Sequence, residues 1–315
     1  KGFLTPPYVS ATGEFAVGSE ITFNEPMVIE LRNDKWKLNP TESIAPTMGE
    51  PSAVPISGSW TLPEAPGNLG GDFTVGGFNI ENYFPTSLGE DWAAKFPGAN
   101  CTSYNDNAGN PITVNRCNNV TENGVTVGNP RGAWNQAMLD LQTNRLVTAI
   151  NELDAAALGL MELENSYKMS FGDEAKAGAS AEYLVDALNA AAGTDKWAYV
   201  NPDPEMQEPI DEMDVMYPGI IYQPAKVTAV PDGQITLNDQ SAEGEAFGNA
   251  RAPFGQLFEP VGGGDPFFLV ANHFKSKSGS GEGDNQDTGE GGWNGDRTRQ
   301  ATALAEWANG PAAET

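Results

Sequence analysis

The sequence has 315 residues, with 43 Asp and Glu against 17 Lys and Arg, a formal net charge of -26, two cysteines and one histidine. That length can bury a full core in one large domain, or in a domain plus a small module, without metal or disulfide rescue. The charge excludes a nucleic-acid binder that works by bulk basicity, so a polyanion would have to be met by local cations or a bound metal ion, and no run of about eighteen apolar residues is present to span a membrane.

Lys1 leads straight into "GFLTPPYVS" with no basic and apolar leader, so the chain reads as trimmed or processed. From Tyr8 to about Leu62, alternating stretches such as "EITFNEPMVIEL" and "KWKLNPT", broken by Pro, Gly and Asn, predict a small β module. The Pro/Gly-rich "PEAPGNLGGD" marks a boundary, giving residues 1–66 as the module and 67–315 as a larger domain. Within the latter, "FTVGGFNIENYF" predicts a strand. Cys101 and Cys117 flank the turn-rich "TSYNDNAGNPITVNR", where a disulfide would contribute about 3 kcal/mol and suit an oxidising compartment; two free thiols are the alternative.

A helix is expected from Trp134 to Leu153, where Leu139, Leu146, Val147, Ile150 and Leu153 recur at helical spacing. "AAALGLMELEN" reads as a buried strand whose end opens into a site, and "AEYLVDALNAAAG" as an amphipathic helix with a glycine stop. "YPGIIYQP", "FGQLFEPV" and "FFLVANHFKSK" predict further strands and "RTRQATALAEWANG" a helix. Their interleaving predicts an α/β (α+β) chain with a mixed sheet or a pair of sheets and helices outside. Ser278 to Asp296 is a long polar loop, mobile or held by a ligand.

Polar groups follow apolar runs at four places: Asn79 and Glu81 in "FNIEN", Glu162 and Glu164 in "LMELEN", Asp214 in "DEMDVMY" and His273 in "VANHFKSK". Each alone reads as a solvated strand cap or a core group. Together they suit a hard divalent cation on oxygen ligands, with the histidine for proton transfer or phosphate contact. Arg251 suits bidentate phosphate recognition, with Asn249 on the same loop. Lys275 and Lys277 alternate with His273 and would share one face, for phosphate or for solvent. Asp214 is the candidate to orient His273. Asp284, Asn285, Asp287 and Glu290 sit among glycines as a calcium loop without EF-hand spacing, or as an acidic linker.

The ordered segments "VGGFNIENYF", "INELDAAALGLMELEN", "GIIYQPAKV", "NARAPFGQLF", "LVANHFKSKSGSG" and "GDRTRQATALAEWA" resemble the secreted bacterial nucleases of the endonuclease/exonuclease/phosphatase superfamily, which also contains pancreatic deoxyribonuclease. The resemblance covers nearly the whole chain. Residues 1–66 are similar to the OB-like β segment that precedes the catalytic domain, and "CTSYNDNAGNPITVNRC" to a cysteine-bracketed loop of these enzymes. It implies a four-layer α/β sandwich and extracellular, metal-dependent hydrolysis of DNA or RNA with Mg2+ or Mn2+, or Ca2+. It further implies that Glu162 is the metal-binding glutamate, Asn79 the asparagine beside that metal, His273 the first of two active-site histidines and Arg251 the phosphate-gripping arginine. The family's later Gly-Asp-x-Asn and closing Ser-Asp-His do not follow, because the sequence stops at "NGPAAET". The expectation is therefore the N-terminal portion of such a domain, with the remaining C-terminal part as a partner. A phosphomonoesterase or lipid phosphodiesterase on the same scaffold, and a non-catalytic secreted component, stay open as alternatives.

Overall fold

The computed structural model describes residues 20–33, 35–41, 56–59, 70–106, 108–202, 209–237 and 244–310. The chain divides into one unit of residues 1–70 with 106–110 and another of residues 71–105 with 111–315. The boundary expected between residues 66 and 67 lies outside the described residues.

In the first unit, β1 (Glu20–Phe23) pairs antiparallel with β4 (Ile56–Ser59), and β2 (Met27–Arg32) with β3 (Lys35–Pro40). Alternation in "MVIELR" and "KWKLNP" puts Ile29 opposite Leu38 and Leu31 opposite Trp36, the cross-strand apolar pairing that stabilises a hairpin.

The second unit begins with β5 (Val75–Tyr83) and the short helix α1 (Gly89–Lys95). Two hairpins follow, β6 (Thr102–Asn105) with β7 (Pro111–Arg116), and β8 (Val120–Glu122) with β9 (Val125–Val127). A Cys101–Cys117 disulfide closes the first, as expected. Asn123 and Gly124 turn the second with φ of 53 and 82, the paired left-handed geometry that Asn-Gly adopts most easily. Next comes α2 (Gln136–Leu153), capped by the Asn135 side chain accepting from the Met138 N–H at 3.2 Å. After β10 (Ala157–Glu164) come α3 (Ser166–Met169) and α4 (Ala179–Ala192), the latter stopped by Gly193 at φ 68, as its sequence predicts. The remaining elements are β11 (Ala198–Tyr199), β12 (Met216–Tyr222), β13 (Val227–Thr236), β14 (Phe254–Pro260), β15 (Phe267–Ala271) and α5 (Asn294–Ala308).

The larger unit is a mixed α/β structure. One sheet has the order β11-β12-β10-β5, with β5 and β10 parallel; a second, antiparallel sheet has the order β13-β14-β15. Leu139, Leu146 and Ile150 of α2 and Leu184 and Leu188 of α4 pack with Leu158 and Leu160 of β10, each fully buried leucine contributing about 1.5–3 kcal/mol. Ala157, Ile220, Phe254, Phe258 and Ala271 form a separate cluster joining the two sheets. The sheets approach so closely at Gly159 that a Cβ there would lie 3.1 Å from the Ala271 Cβ. Trp307 of α5 packs with Leu237, Phe247, Ile235 and Val270. Among the described residues no helix is long and apolar enough to cross a membrane.

Candidate functional site

β5 and β10 keep an ordinary parallel register up to the pair Asn79–Met161; the next pair is Tyr83–Leu163. Ile80, Glu81 and Asn82 therefore lie opposite Glu162 alone, and the β10–β12 register also shifts between Leu160 and Leu163. This double bulge forces Glu81, Asn82 and Glu162 to φ of 57, 50 and 67. Left-handed backbone costs a non-glycine residue about 1–2 kcal/mol, and such strain gathers where a strand re-aims a side chain.

Hydrogen bonds hold the bulge. The Glu162 carboxylate accepts from Asn79 Nδ2 at 3.0 Å and from the Asn82 N–H at 2.9 Å. Asn79 Oδ1 accepts from the Glu81 N–H at 2.9 Å, and Gln142 Nε2 donates to the carbonyls of Ile80 and Glu81 at 3.0 and 2.8 Å. Gly132, at φ +70, passes so close that a Cβ would lie 2.1 Å from the Asn82 carbonyl oxygen.

His273 reaches this cluster from beyond β15, its Nε2 3.8 Å from Glu162 Oε1. Its Nδ1 is buried without a hydrogen-bond partner among the described residues. Burial, then the Arg251 guanidinium and more weakly Arg131, lower the imidazole's proton affinity against the opposing pull of Glu162 and Asp214. Arg251 Nη2 and Asp214 Oδ2 form an ion pair at 2.6 Å with side chains only 12% and 26% exposed. The expected contact between Asp214 and His273 is thus not made: Asp214 fixes Arg251, and Arg251 is not a free cation.

Other expected site residues have different employment. The strand stops at Ala271, so Lys275 and Lys277 do not share a strand face with His273; Lys275 Nζ sits 4.8 Å over the Trp293 ring, and Gly291 lies against the Lys277 stem. Asn249 Nδ2 donates to Asp296 Oδ2 at 2.6 Å, tying its loop to the start of α5. Glu164 does not join Glu162. It is fully buried and accepts from Thr86 N at 2.8 Å, Thr86 Oγ1 at 2.7 Å and Ser87 Oγ at 2.6 Å, while burial pushes its carboxyl up. In the 278–296 loop, Arg299 pairs with both Asp284 and Asp296, and Asp287 Oδ1 accepts from the N–H groups of Gly289 and Gly291. The cation paired with Asp284 and Asp296 is thus the Arg299 guanidinium.

Asn82, Arg131 and Gly132 were not expected at the site. The one sequence signal is the Pro-Arg-Gly of "NPRGAW", where Gly132 supplies the left-handed turn. Among the described residues no three His, Cys, Asp or Glu side chains converge as a metal site. Glu162, with Asn79 beside it, fits the lesser requirement of a magnesium-type ion, which keeps several waters and takes one or two carboxylates plus substrate phosphate oxygens; it does not fit a zinc or calcium cage.

No protein-family model matches the chain, and no curated protein matches it. Among solved structures, the crystal structure of a functionally unknown conserved protein from Enterococcus faecalis V583 is similar over 55% of this chain and 54% of that one, at 16% identity and a TM-score of 0.33. The chain thus spans about half the length of that protein, a likeness too slight to carry a functional argument.

Proposed function

We propose that this protein is a secreted, metal-dependent phosphodiesterase acting on DNA or RNA, built on the four-layer sandwich of the endonuclease/exonuclease/phosphatase type. The observation that carries the reading is the meeting of Glu162, Asn79 and His273, which come from separate segments and converge at one strained strand end. Helices α2 and α4 beside one sheet and α5 beside the other support the scaffold. The disulfide suits an oxidising compartment.

Glu162 with Asn79 would hold a Mg2+- or Mn2+-type ion, which when bound supplies Lewis-acid stabilisation of a phosphoryl oxygen. His273 offers Nε2 to a phosphoryl or leaving oxygen at short range, as hydrogen-bond donor or proton acceptor. Arg251, locked by Asp214, presents a fixed guanidinium edge that orients a phosphate more than it attracts one, because the carboxylate offsets its charge. Asp214 therefore acts as a positioning residue.

The test is incubation of the full chain with plasmid DNA, an RNA oligonucleotide, bis(p-nitrophenyl) phosphate and p-nitrophenyl phosphate, in Mg2+, Mn2+, Ca2+ or EDTA. Diester cleavage that needs metal and falls about 100-fold or more in Glu162→Gln is expected. Diesters left intact under every metal, or cleavage indifferent to Glu162→Gln, would overturn the reading; turnover of the monoester alone would make the protein a phosphomonoesterase.

A further inference from the structure

Beside the Glu162 cluster lies a groove of about 830 Å³ whose lining includes Asn79, Asn82, Tyr104, Asn115, Arg131 and Arg145. We infer that this groove seats an unpaired nucleotide strand, with a base stacked on Tyr104 and backbone phosphates on Arg131 and Arg145, leading the strand to the proposed hydrolytic site. The inference rests on the phosphodiesterase reading for its choice of substrate and deepens it from nucleic acid to single strands.

Charge is the first argument. In a chain of net charge -26, Glu81 is the one carboxylate among the groove's lining residues, against two arginines. Neither arginine has an ion-pair partner among the described residues, so no contacting carboxylate offsets either charge. Arginines left unpaired in so acidic a protein form the local electrostatic footprint that a polyanion needs. Arg131 lines the groove next to Gly132, which packs against the Asn82 carbonyl of the Glu162 cluster.

Shape and surface chemistry are the second. Tyr104 is 59% exposed on β6, in a hairpin stapled by Cys101–Cys117 and paired with β7 through Thr113, so its ring is presented on a braced ribbon. The volume is toward the upper end of the roughly 300–1,000 Å³ of small-ligand sites, room for a short run of nucleotides rather than a lone phosphate. An exposed aromatic beside backbone-binding cations is the recognition mode of single strands, whose base faces are free to stack. A duplex keeps those faces stacked within itself and offers Tyr104 nothing comparable.

The experiment measures binding of the full chain in EDTA to a fluorescein-labelled oligothymidine about eight nucleotides long, an oligouridine and a hairpin duplex, by anisotropy across salt concentrations. The single strands should bind more tightly than the duplex. Tyr104→Ala should weaken them about tenfold, and Tyr104→Phe should restore them. Arg131→Ala and Arg145→Ala should each flatten the logarithmic salt slope by about 0.7. Thymidine and uridine binding alike supports a seat for any unpaired strand. Preference for duplex, or Tyr104→Ala binding like the parent at an unchanged melting temperature, overturns the inference. Bis(p-nitrophenyl) phosphate, too small to span the groove, reports on hydrolysis separately: turnover without any effect of the groove variants sinks the strand seat alone, and groove effects without turnover sink the hydrolase reading alone.

Discussion

Gly132→Ala tests whether the strained strand end is held by close packing. A Cβ at position 132 would lie 2.1 Å from the Asn82 carbonyl oxygen and 3.3 Å from its carbon. Carbon and oxygen sit comfortably at about 3.3 Å, so the carbonyl must retreat by about 1 Å. It cannot retreat alone, because the Asn82 N–H is bonded to Glu162 at 2.9 Å and the preceding carbonyl to Gln142 at 2.8 Å. The left-handed φ of +70 adds about 1–2 kcal/mol and the forced displacement about 1–3, a loss of about 2–5 kcal/mol together. Gly124→Ala is the control: its φ is +82 with nothing within 4 Å of a Cβ, so it carries the backbone contribution alone. Urea unfolding of both variants, followed by circular dichroism, isolates the clash as their difference. The diester hydrolysis proposed above should also fall, by up to about 100-fold, in Gly132→Ala only, since moving Asn82 moves a donor to Glu162. Equal losses of stability in the two variants, within about 0.5 kcal/mol, would refute the reasoning.

Two further outcomes follow from the same structure. Glu164→Ala removes the acceptor shared by Thr86 N, Thr86 Oγ1 and Ser87 Oγ in a buried site, and should cost about 3 kcal/mol or more in urea unfolding, with Glu164→Gln losing less; a loss under about 1 kcal/mol would refute it. At Asp154, burial alone would raise the carboxyl, but Lys196, Lys226 and Gln223 together hold it well below the usual carboxylate range. A depressed folded-state value means stability present above the unfolded value of about 3.9 and lost as pH falls below it. Because the Asp154 side chain is 52% exposed, the gain is on the order of 0–1 kcal/mol. The melting-temperature advantage of the parent over Asp154→Asn should be level near neutrality and shrink below about pH 4; an advantage unchanged down to about pH 3 would contradict the assignment.

The long elements were legible because period and punctuation agree. Leu139, Leu146 and Ile150 face the core at helical spacing, Asn135 caps the helix start, and Gly193 ends α4 where the sequence places a stop. Asn79, Glu162 and His273 were legible as polar groups after apolar runs, and they do meet. What could not be read off was anything set by tertiary pairing. Asp214 and Arg251 join from distant loops, so no local pattern says that the carboxylate serves the arginine rather than the imidazole. Alternation beyond His273 failed because the ladder ends at Ala271, leaving Lys275 to settle on Trp293. Arg131 had no periodic signature at all, since the turn that places it depends on Gly132 meeting a strand far away in sequence.

The two glutamates of "LMELEN" show why the site falls where a local rule breaks. In a regular strand, Glu162 and Glu164 would point to the same face. Both would then be buried, at the heavy desolvation penalty of carboxylates, or both would be exposed, leaving Thr86 and Ser87 without their acceptor. The bulge at Glu162 separates them: Glu164 locks the loop after β5 to the core, and Glu162 stays accessible beside Asn79 and His273. Left-handed backbone at Glu81, Asn82 and Glu162 amounts to about 3–6 kcal/mol of strain, a large part of the 5–15 kcal/mol by which domains are stable. Strain of that size persists only where its surroundings over-determine it, here the amides of Asn79, Asn82 and Gln142 and the close passage of Gly132. An ordinary ladder with an apolar residue at position 162 would avoid the strain. That the chain keeps a carboxylate there instead is the kind of conflict between local and global preference found at functional sites, and it supports placing Glu162 at the centre of the proposed site.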